Sequence, residues 1–270
     1  MIDPSATTYS TLETTVSGAV ARVALNRPEV HNAFDETLIA ELTHVVRTLD
    51  ADPGIRVLVL EGRGKSFCAG ADLNWMKKMA GFSQAENLAD ASTLAGMLSA
   101  LNNMCKPTLA RVHGAAYGGG VGLVACCDIA IGTPEASFAL SETRLGLIPA
   151  AISPYVIEAI GARAARRYFL SAERFGAEEA RRLGLLHELV SEAELDATLD
   201  RLIAALLEAG PQAQSEAKLL IRAVAQRPID QGVIGDTAKR IARVRATPEG
   251  KEGVAAFLAK RKPAWTSRDK

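Results

Sequence analysis

The sequence has no surplus of either charge. Its 31 Lys and Arg balance 31 Asp and Glu over 270 residues, so no global field recruits nucleic acid or an anionic membrane surface. It has no apolar run approaching a membrane span, and the opening Met1-Ile2-Asp3-Pro4 has neither the basic nor the apolar region of a signal peptide. These absences predict a soluble, cytoplasmic protein with no nucleic-acid partner and no membrane partner. Cysteines are few: Cys68, Cys105, Cys126 and Cys127 have neither metal-ligand spacing nor the pattern of a disulfide framework, and reduced, buried thiols are expected. His31, His44, His113 and His187 are widely scattered, which argues against a zinc site. There is no fixed-period repeat and no low-complexity linker.

What is present is an alternation of strands and helices. Thr14 to Leu25 is β-branched and partly alternating, with Ser17-Gly18 as a hairpin turn. Asp35 caps a helix whose apolar positions Leu38, Ile39, Leu42, Val45, Val46 and Leu49 recur at helical spacing and which ends before Asp52-Pro53-Gly54. Val57 to Leu60 reads as a buried strand, Glu86 to Met104 as a helix and Thr108 to Val112 as a strand. A short helix follows at Gly119 to Cys127, then a strand at Asp128 to Ile131. Beyond Ser153 the chain turns into Ala-rich, charge-laced helices broken at Gly161, Gly184, Gly210-Pro211 and Thr247-Pro248. The fold class is α/β, with a layered core over 1–200 and a helical C-terminal region over 201–270.

Two stretches dominate the chemistry: Ser66-Phe67-Cys68-Ala69-Gly70-Ala71-Asp72-Leu73 and His113-Gly114-Ala115-Ala116-Tyr117-Gly118-Gly119-Gly120. Each puts residues with little side chain where a strand gives way to a helix. The first amides of a helix have no intrahelical acceptor and sit at its positive end, so two facing termini can grip one developing negative oxygen. Other motifs fit less well. Gly62-Arg63-Gly64-Lys65-Ser66 lacks the first glycine of a phosphate-binding loop, whose place falls on Val59 inside a strand. Gly120 to Ala125 matches a dinucleotide fingerprint formally but opens too short a helix. Ser66 lacks the glycine two residues later that a nucleophile elbow requires.

These two stretches, followed by Leu140-Ser141-Glu142-Thr143-Arg144-Leu145-Gly146-Leu147-Ile148-Pro149, make the chain resemble the crotonase (enoyl-CoA hydratase/isomerase) family over nearly its whole length. Asn26-Arg27-Pro28 with Asn32-Ala33 near the start, and Phe257 to Trp265 at the end, extend the likeness. Within the family, Cys126-Cys127-Asp128, Ile148-Pro149-Ala150 and Lys262-Pro263-Ala264-Trp265 are most similar to bacterial hydratases for 3-methylglutaconyl-CoA and γ-carboxygeranoyl-CoA. The resemblance implies a spiral of ββα units and a helical C-terminal part that drives homotrimers or dimers of trimers and covers the acyl-CoA site. It implies an acyl-CoA thioester as substrate, its carbonyl oxygen held by the amides of Ala71 and Gly119, with no cofactor and no metal. By motif position, Val30, Ala33, Ala69, Gly70, Asp72, Leu73, Tyr117 and Gly118 line the substrate path. Glu29 stands where several relatives carry a lysine near the phosphates, which shifts that contact to Lys260 or Arg261 of the partner subunit.

Addition or removal of a proton beside a thioester passes through an enolate, whose charge collects on the oxygen that the two amides would face. Glu142, set among Phe138, Ala139, Leu140, Leu145 and Leu147, is the candidate acid or base, because an apolar setting raises a carboxyl toward its working range. An ordinary glutamate at a helix start, capped by Ser141, is the plainer alternative. Many hydratases of the family have a second glutamate three residues after the glycine amide; this chain has Gly122. Removing that bulk and charge suggests a branched, carboxylated acyl group, with Arg144 as a cation for the distal carboxylate and Tyr117 as a possible helper. The sequence therefore predicts a hydratase acting on a 2-enoyl-CoA. A Δ3,Δ2-enoyl-CoA isomerase with a single carboxylate is the rival, and a non-catalytic acyl-CoA-binding scaffold is the alternative from another class.

Overall fold

A computed structural model of the protein describes residues 8–267; the Met1 to Pro4 segment and residues 268–270 lie outside the described residues. The chain opens with an antiparallel hairpin of β1 (Leu12–Ser17) and β2 (Val20–Leu25), turning at Gly18. Ser17, expected in the turn, instead closes the ladder opposite Val20. Asp35 accepts the Leu38 amide at 2.8 Å and starts α1 (Glu36–Ala51), which buries all six apolar positions that the spacing picks out. The fully buried β3 (Val57–Gly62) leads to β4 (Ser66–Cys68) and α2 (Leu73–Met79). Ser83 and Glu86 form a capping box at the head of α3 (Gln84–Asn102).

Next come β5 (Thr108–Val112), β6 (Ala115–Tyr117), α4 (Gly119–Cys126), β7 (Ile129–Gly132) and β8 (Ser137–Ala139). The second part holds α5 (Ser153–Ser171), β9 (Phe175–Gly176), α6 (Ala177–Leu183), β10 (Glu188–Leu189), α7 (Glu192–Glu208), α8 (Pro211–Val224), α9 (Gln231–Ala246) and α10 (Pro248–Leu258). The expected breaks are real. Gly161 leaves helical geometry inside α5, Gly184 ends α6, and Pro211 and Pro248 stand in the first turns of α8 and α10. The two short strands in this helical part are an addition to the sequence reading, each too brief for an alternation to register.

Among the described residues the strands form two sheets, in orders β1-β2-β3-β5-β7-β10 and β4-β6-β8-β9. All neighbours are parallel except β1 with β2 and β8 with β9. This is the α/β class that the alternation predicts. Helix α7 runs unbroken through residue 200, and its Leu195, Leu199 and Ile203 pack with Val57, Val59, Leu109 and Ile131 in a second core. Lys218 of α8 is tied to Asp128 at 2.6 Å and to the Lys106 carbonyl at 2.9 Å, which fastens α8 to the segments just before β5 and β7. Cys68, Cys126 and Cys127 are buried, and burial pushes the Cys68 and Cys127 thiols up to about 12. Cys105 is exposed, contrary to the expectation, because it sits in the bend after α3 where its amide bonds Asp50 at 2.8 Å. No helix is long and apolar enough to cross a membrane, and no group of side chains suited to a metal ion occurs among the described residues.

Candidate active site

Strands β4, β6 and β8 are parallel neighbours, so the chain leaves all three on one edge of the small sheet, where ligands of parallel sheets gather. The departing segments carry Gly70-Ala71, Gly118-Gly119 and Glu142. They meet closely. A Cβ on Gly70 would stand 3.1 Å from the Tyr117 carbonyl oxygen, and one on Gly118 would stand 3.2 Å from Glu142 Oε1 and 4.0 Å from the Gly70 Cα. Both glycines have positive φ, 91° and 49°, in conformations that side chains resist.

Ala71 owes its free amide to a bridge. Phe34 donates its N–H to the Gly70 carbonyl at 2.6 Å and accepts the Asp72 N–H at 2.8 Å, which turns the Ala71 N–H to the other side. Ala71 thus precedes Asp72, the N-cap of α2, and its amide is not one of the helix's own first donors as the motif suggests. Asp72 accepts the amides of Asn74 at 2.8 Å and Trp75 at 3.3 Å, and meets Arg27 Nη2 at 3.1 Å. Burial pushes the Asp72 carboxyl up, but these amides and the guanidinium outweigh it and hold the group below its ordinary range. Arg27 also reaches Asp35 at 3.0 Å and the Ala33 carbonyl at 2.6 Å. Fully buried Asn32 bonds the Arg27 amide at 2.9 Å and the carbonyls of Arg63 and Ser66 at 2.9 and 2.8 Å. Nothing in the local sequence pattern marks this network; only the turn-forming Asn-Arg-Pro hints that the backbone reverses there.

Gly119 is the first residue of α4, after the N-cap Gly118, and its amide is a true helix-end donor. Side chains are excluded around it. A Cβ on Gly119 would fall 2.2 Å from Phe34 Cε2, one on Gly120 2.4 Å from the Cys68 carbonyl oxygen, and one on Gly122 2.3 Å from Ile152 Cγ2. The space beside Gly122 is therefore filled by Ile152. The roomier pocket that the missing glutamate suggests does not follow, because a residue distant in sequence occupies it.

Glu142 opens a 3-10 turn, Glu142–Leu145, that Gly146 closes in the left-handed conformation. Glu142 does stand first in the turn, as the plain helix-start reading has it, but Ser141 makes no side-chain cap. Its Oε2 is buried without a hydrogen-bond partner among the described residues, and burial raises its carboxyl above the ordinary value. A carboxyl raised in this way holds and returns a proton more readily than one at its ordinary value.

The remaining predicted residues divide. Ala33 is buried, Val30 and Ala69 are half-buried, and Leu73 is exposed, all in the segments flanking the Phe34 bridge. Tyr117 hydrogen-bonds Ser137 at 3.1 Å and carries the Arg174 guanidinium over its ring, a structural setting. Arg144 is exposed and forms no ion pair among the described residues. Lys260 stands exposed at the end of α10, and neighbouring Arg261 is taken by Glu252 at 2.6 and 2.8 Å.

The family model for enoyl-CoA hydratase/isomerase matches residues 15–268, and the chain belongs to that family. The solved structure of an enoyl-CoA hydratase from Shewanella pealeana is 47% identical, with a TM-score of 0.92 over 94% of this chain and 96% of the other. The crotonyl-CoA hydratase of Syntrophomonas wolfei is 30% identical, with coverage of 92% and 95%. The hydroxycinnamoyl-CoA hydratase-lyase of Pseudomonas fluorescens is 34% identical, with coverage of 78% and 77%. Membership sets aside the reading as a non-catalytic scaffold.

Proposed function

We propose that this protein is a hydratase that adds water reversibly across the C2=C3 bond of a 2-enoyl-CoA. The Ala71 and Gly119 amides hold the thioester oxygen, and Glu142 transfers the proton. The observation that carries this is the convergence of Gly70-Ala71, Gly118-Gly119 and the Glu142 carboxyl at the ends of three adjacent parallel strands. In the forward direction Glu142 takes a proton from water as the oxygen attacks C3; the enolate that forms is neutralised when C2 gains that proton. The atoms of one water are all used and no redox partner is needed, so the reaction needs no cofactor. Losing one such donor costs about 3 kcal/mol of transition-state stabilisation. The named hydratases among the relatives support water addition over double-bond migration.

The substrate is a branched, carboxylated enoyl-CoA of the 3-methylglutaconyl type, as occurs in leucine breakdown. Support comes from the motif likeness and from Arg144, an exposed cation two residues from Glu142 with no ion pair among the described residues. Val30, Ala33, Ala69, Asp72 and Leu73 line the coenzyme path. The region 201–270 serves subunit association as a homotrimer or dimer of trimers, and its exposed Ile234, Ile241, Val254, Phe257 and Leu258 supply apolar surface for it.

Turnover in heavy-oxygen water is the test. Label is expected in the 3-hydroxyacyl product, and Glu142→Gln should reduce kcat by about 10²–10⁴-fold. Near-normal activity of that variant removes the residue from the mechanism, and equal turnover of crotonyl-CoA and 3-methylglutaconyl-CoA removes the substrate preference.

A further inference from the structure

One residue touches both amide donors. The Phe34 backbone is locked into the bridge that turns the Ala71 N–H outward, through the Gly70 carbonyl at 2.6 Å and the Asp72 amide at 2.8 Å. Its ring abuts the other donor: the three atoms nearest a Cβ on Gly119 all belong to Phe34, at 2.2, 2.8 and 3.4 Å. The segment below it is held as well. Asn32, at a positive φ of 56°, is anchored by its side chain, and the Ala69 amide donates to the His31 carbonyl at 2.9 Å. Phe34 itself is 1% exposed and does not meet solvent or substrate space.

We infer that Phe34 is a positioning residue that sets the spacing between the Ala71 and Gly119 amides, and with it the polarisation of the bound thioester carbonyl. The inference rests on the reading of those amides as the oxyanion donors. Such donors act over a narrow range, about 2.7–3.1 Å from the oxygen, and small misplacements are costly. Gly119 has no side chain to fix it, and neither the N-cap Gly118 nor the following Gly120 carries one to anchor the turn. The aromatic edge occupies the space into which that glycine-rich turn would otherwise settle. The same contact explains why position 119 excludes a methyl group.

The test uses 2,4-hexadienoyl-CoA, whose absorption moves to longer wavelength when its carbonyl is polarised, together with kcat, KM and thermal melting. Phe34→Ala is expected to fold, to keep KM within about threefold, to lose at least half of the red shift and to drop kcat by about 10²-fold. Phe34→Leu should fall between. Leu199→Ala, a truncation in the second core, should lower the melting temperature without moving the red shift or kcat. Gly119→Ala should lose the shift, and adding Phe34→Ala to it should restore part, because the ring that collides with the new methyl is gone. A folded Phe34→Ala with the wild-type shift and kcat overturns the inference, as does a double variant no better than Gly119→Ala alone. If Phe34→Ala does not fold, an undiminished shift in Phe34→Leu overturns it. Absence of any red shift in the wild-type complex overturns the donor reading itself, a result distinct from a shift that survives at position 34.

Discussion

The segments that carry Ala71 and Gly119 are held by opposite means. Around Ala71 the backbone is fixed by polar groups: Arg27 links Asp35, Asp72 and the Ala33 carbonyl, and buried Asn32 satisfies four further main-chain groups. Around Gly119 the backbone is fixed by exclusion, with Phe34, the Cys68 carbonyl and Ile152 each filling the place of a missing Cβ. A polar clamp depends on charge and protonation; a packed glycine turn depends on volume. The same chemical device, a free amide, is thus built once from directional bonds and once from close contact.

The contrast breaks most sharply at Gly120→Ala. Its Cβ would meet a carbonyl oxygen of the backbone at 2.4 Å, which no side-chain rotation relieves, so a loss of about 4 kcal/mol or more, or no folded protein, is expected in denaturant titrations. A loss below about 1 kcal/mol would show that α4 is not held by volume. On the polar side, Asp72→Ala removes a helix cap and a charge-assisted bond and should cost about 2 kcal/mol. Because the Asp72 pKa is depressed, its contribution is complete above the ordinary value of 3.8 and fades as pH falls through the depressed one. The gap between wild type and variant should therefore close in acid; a gap independent of pH would deny the clamp its charge.

Gly122→Ala comes next, at about 2 kcal/mol, because its Cβ would meet Cγ2 and Cβ of Ile152 at 2.3 and 2.9 Å, side-chain atoms of a stiff β-branched residue rather than main chain. Adding Ile152→Ala should make the pair markedly non-additive in a double-mutant cycle, and strict additivity would remove the contact from the account. The smallest effect has the opposite sign. Glu142 has a raised pKa, so its ionised form costs stability above that raised value, and the cost vanishes below the ordinary 4.5. Glu142→Gln should raise the melting temperature by about 2 °C at neutral pH and by nothing near pH 4. A fall at neutral pH would mean that the carboxylate is paired after all.

Local signals were legible wherever a pattern had room to repeat. The Asp35 cap and six apolar positions define α1, and Gly184, Pro211 and Pro248 mark helix termini from local sequence alone. The small sheet was not legible, because β4, β6 and β8 are three residues each and alternation cannot register in three. Ala71 was found for a reason that only half applies: the motif suggested a helix end, whereas the Phe34 bridge frees its amide. The space beside Gly122 was misjudged because Ile152 arrives from beyond β8.

The sequence by itself determined the α/β alternation, the start and face of α1, the breaks among the C-terminal helices and the identity of the small residues and the glutamate, all of which are set by neighbours a few positions away. The tertiary structure alone decided that three strand ends share one edge, that an arginine and an asparagine brace one amide while an aromatic ring packs against the other, and that one oxygen of the half-buried Glu142 carboxyl has no hydrogen-bond partner among the described residues. The reason is physical. Propensity and capping act within a turn or two of the chain, but a proton-transfer site is a matter of distances between segments that only packing brings together.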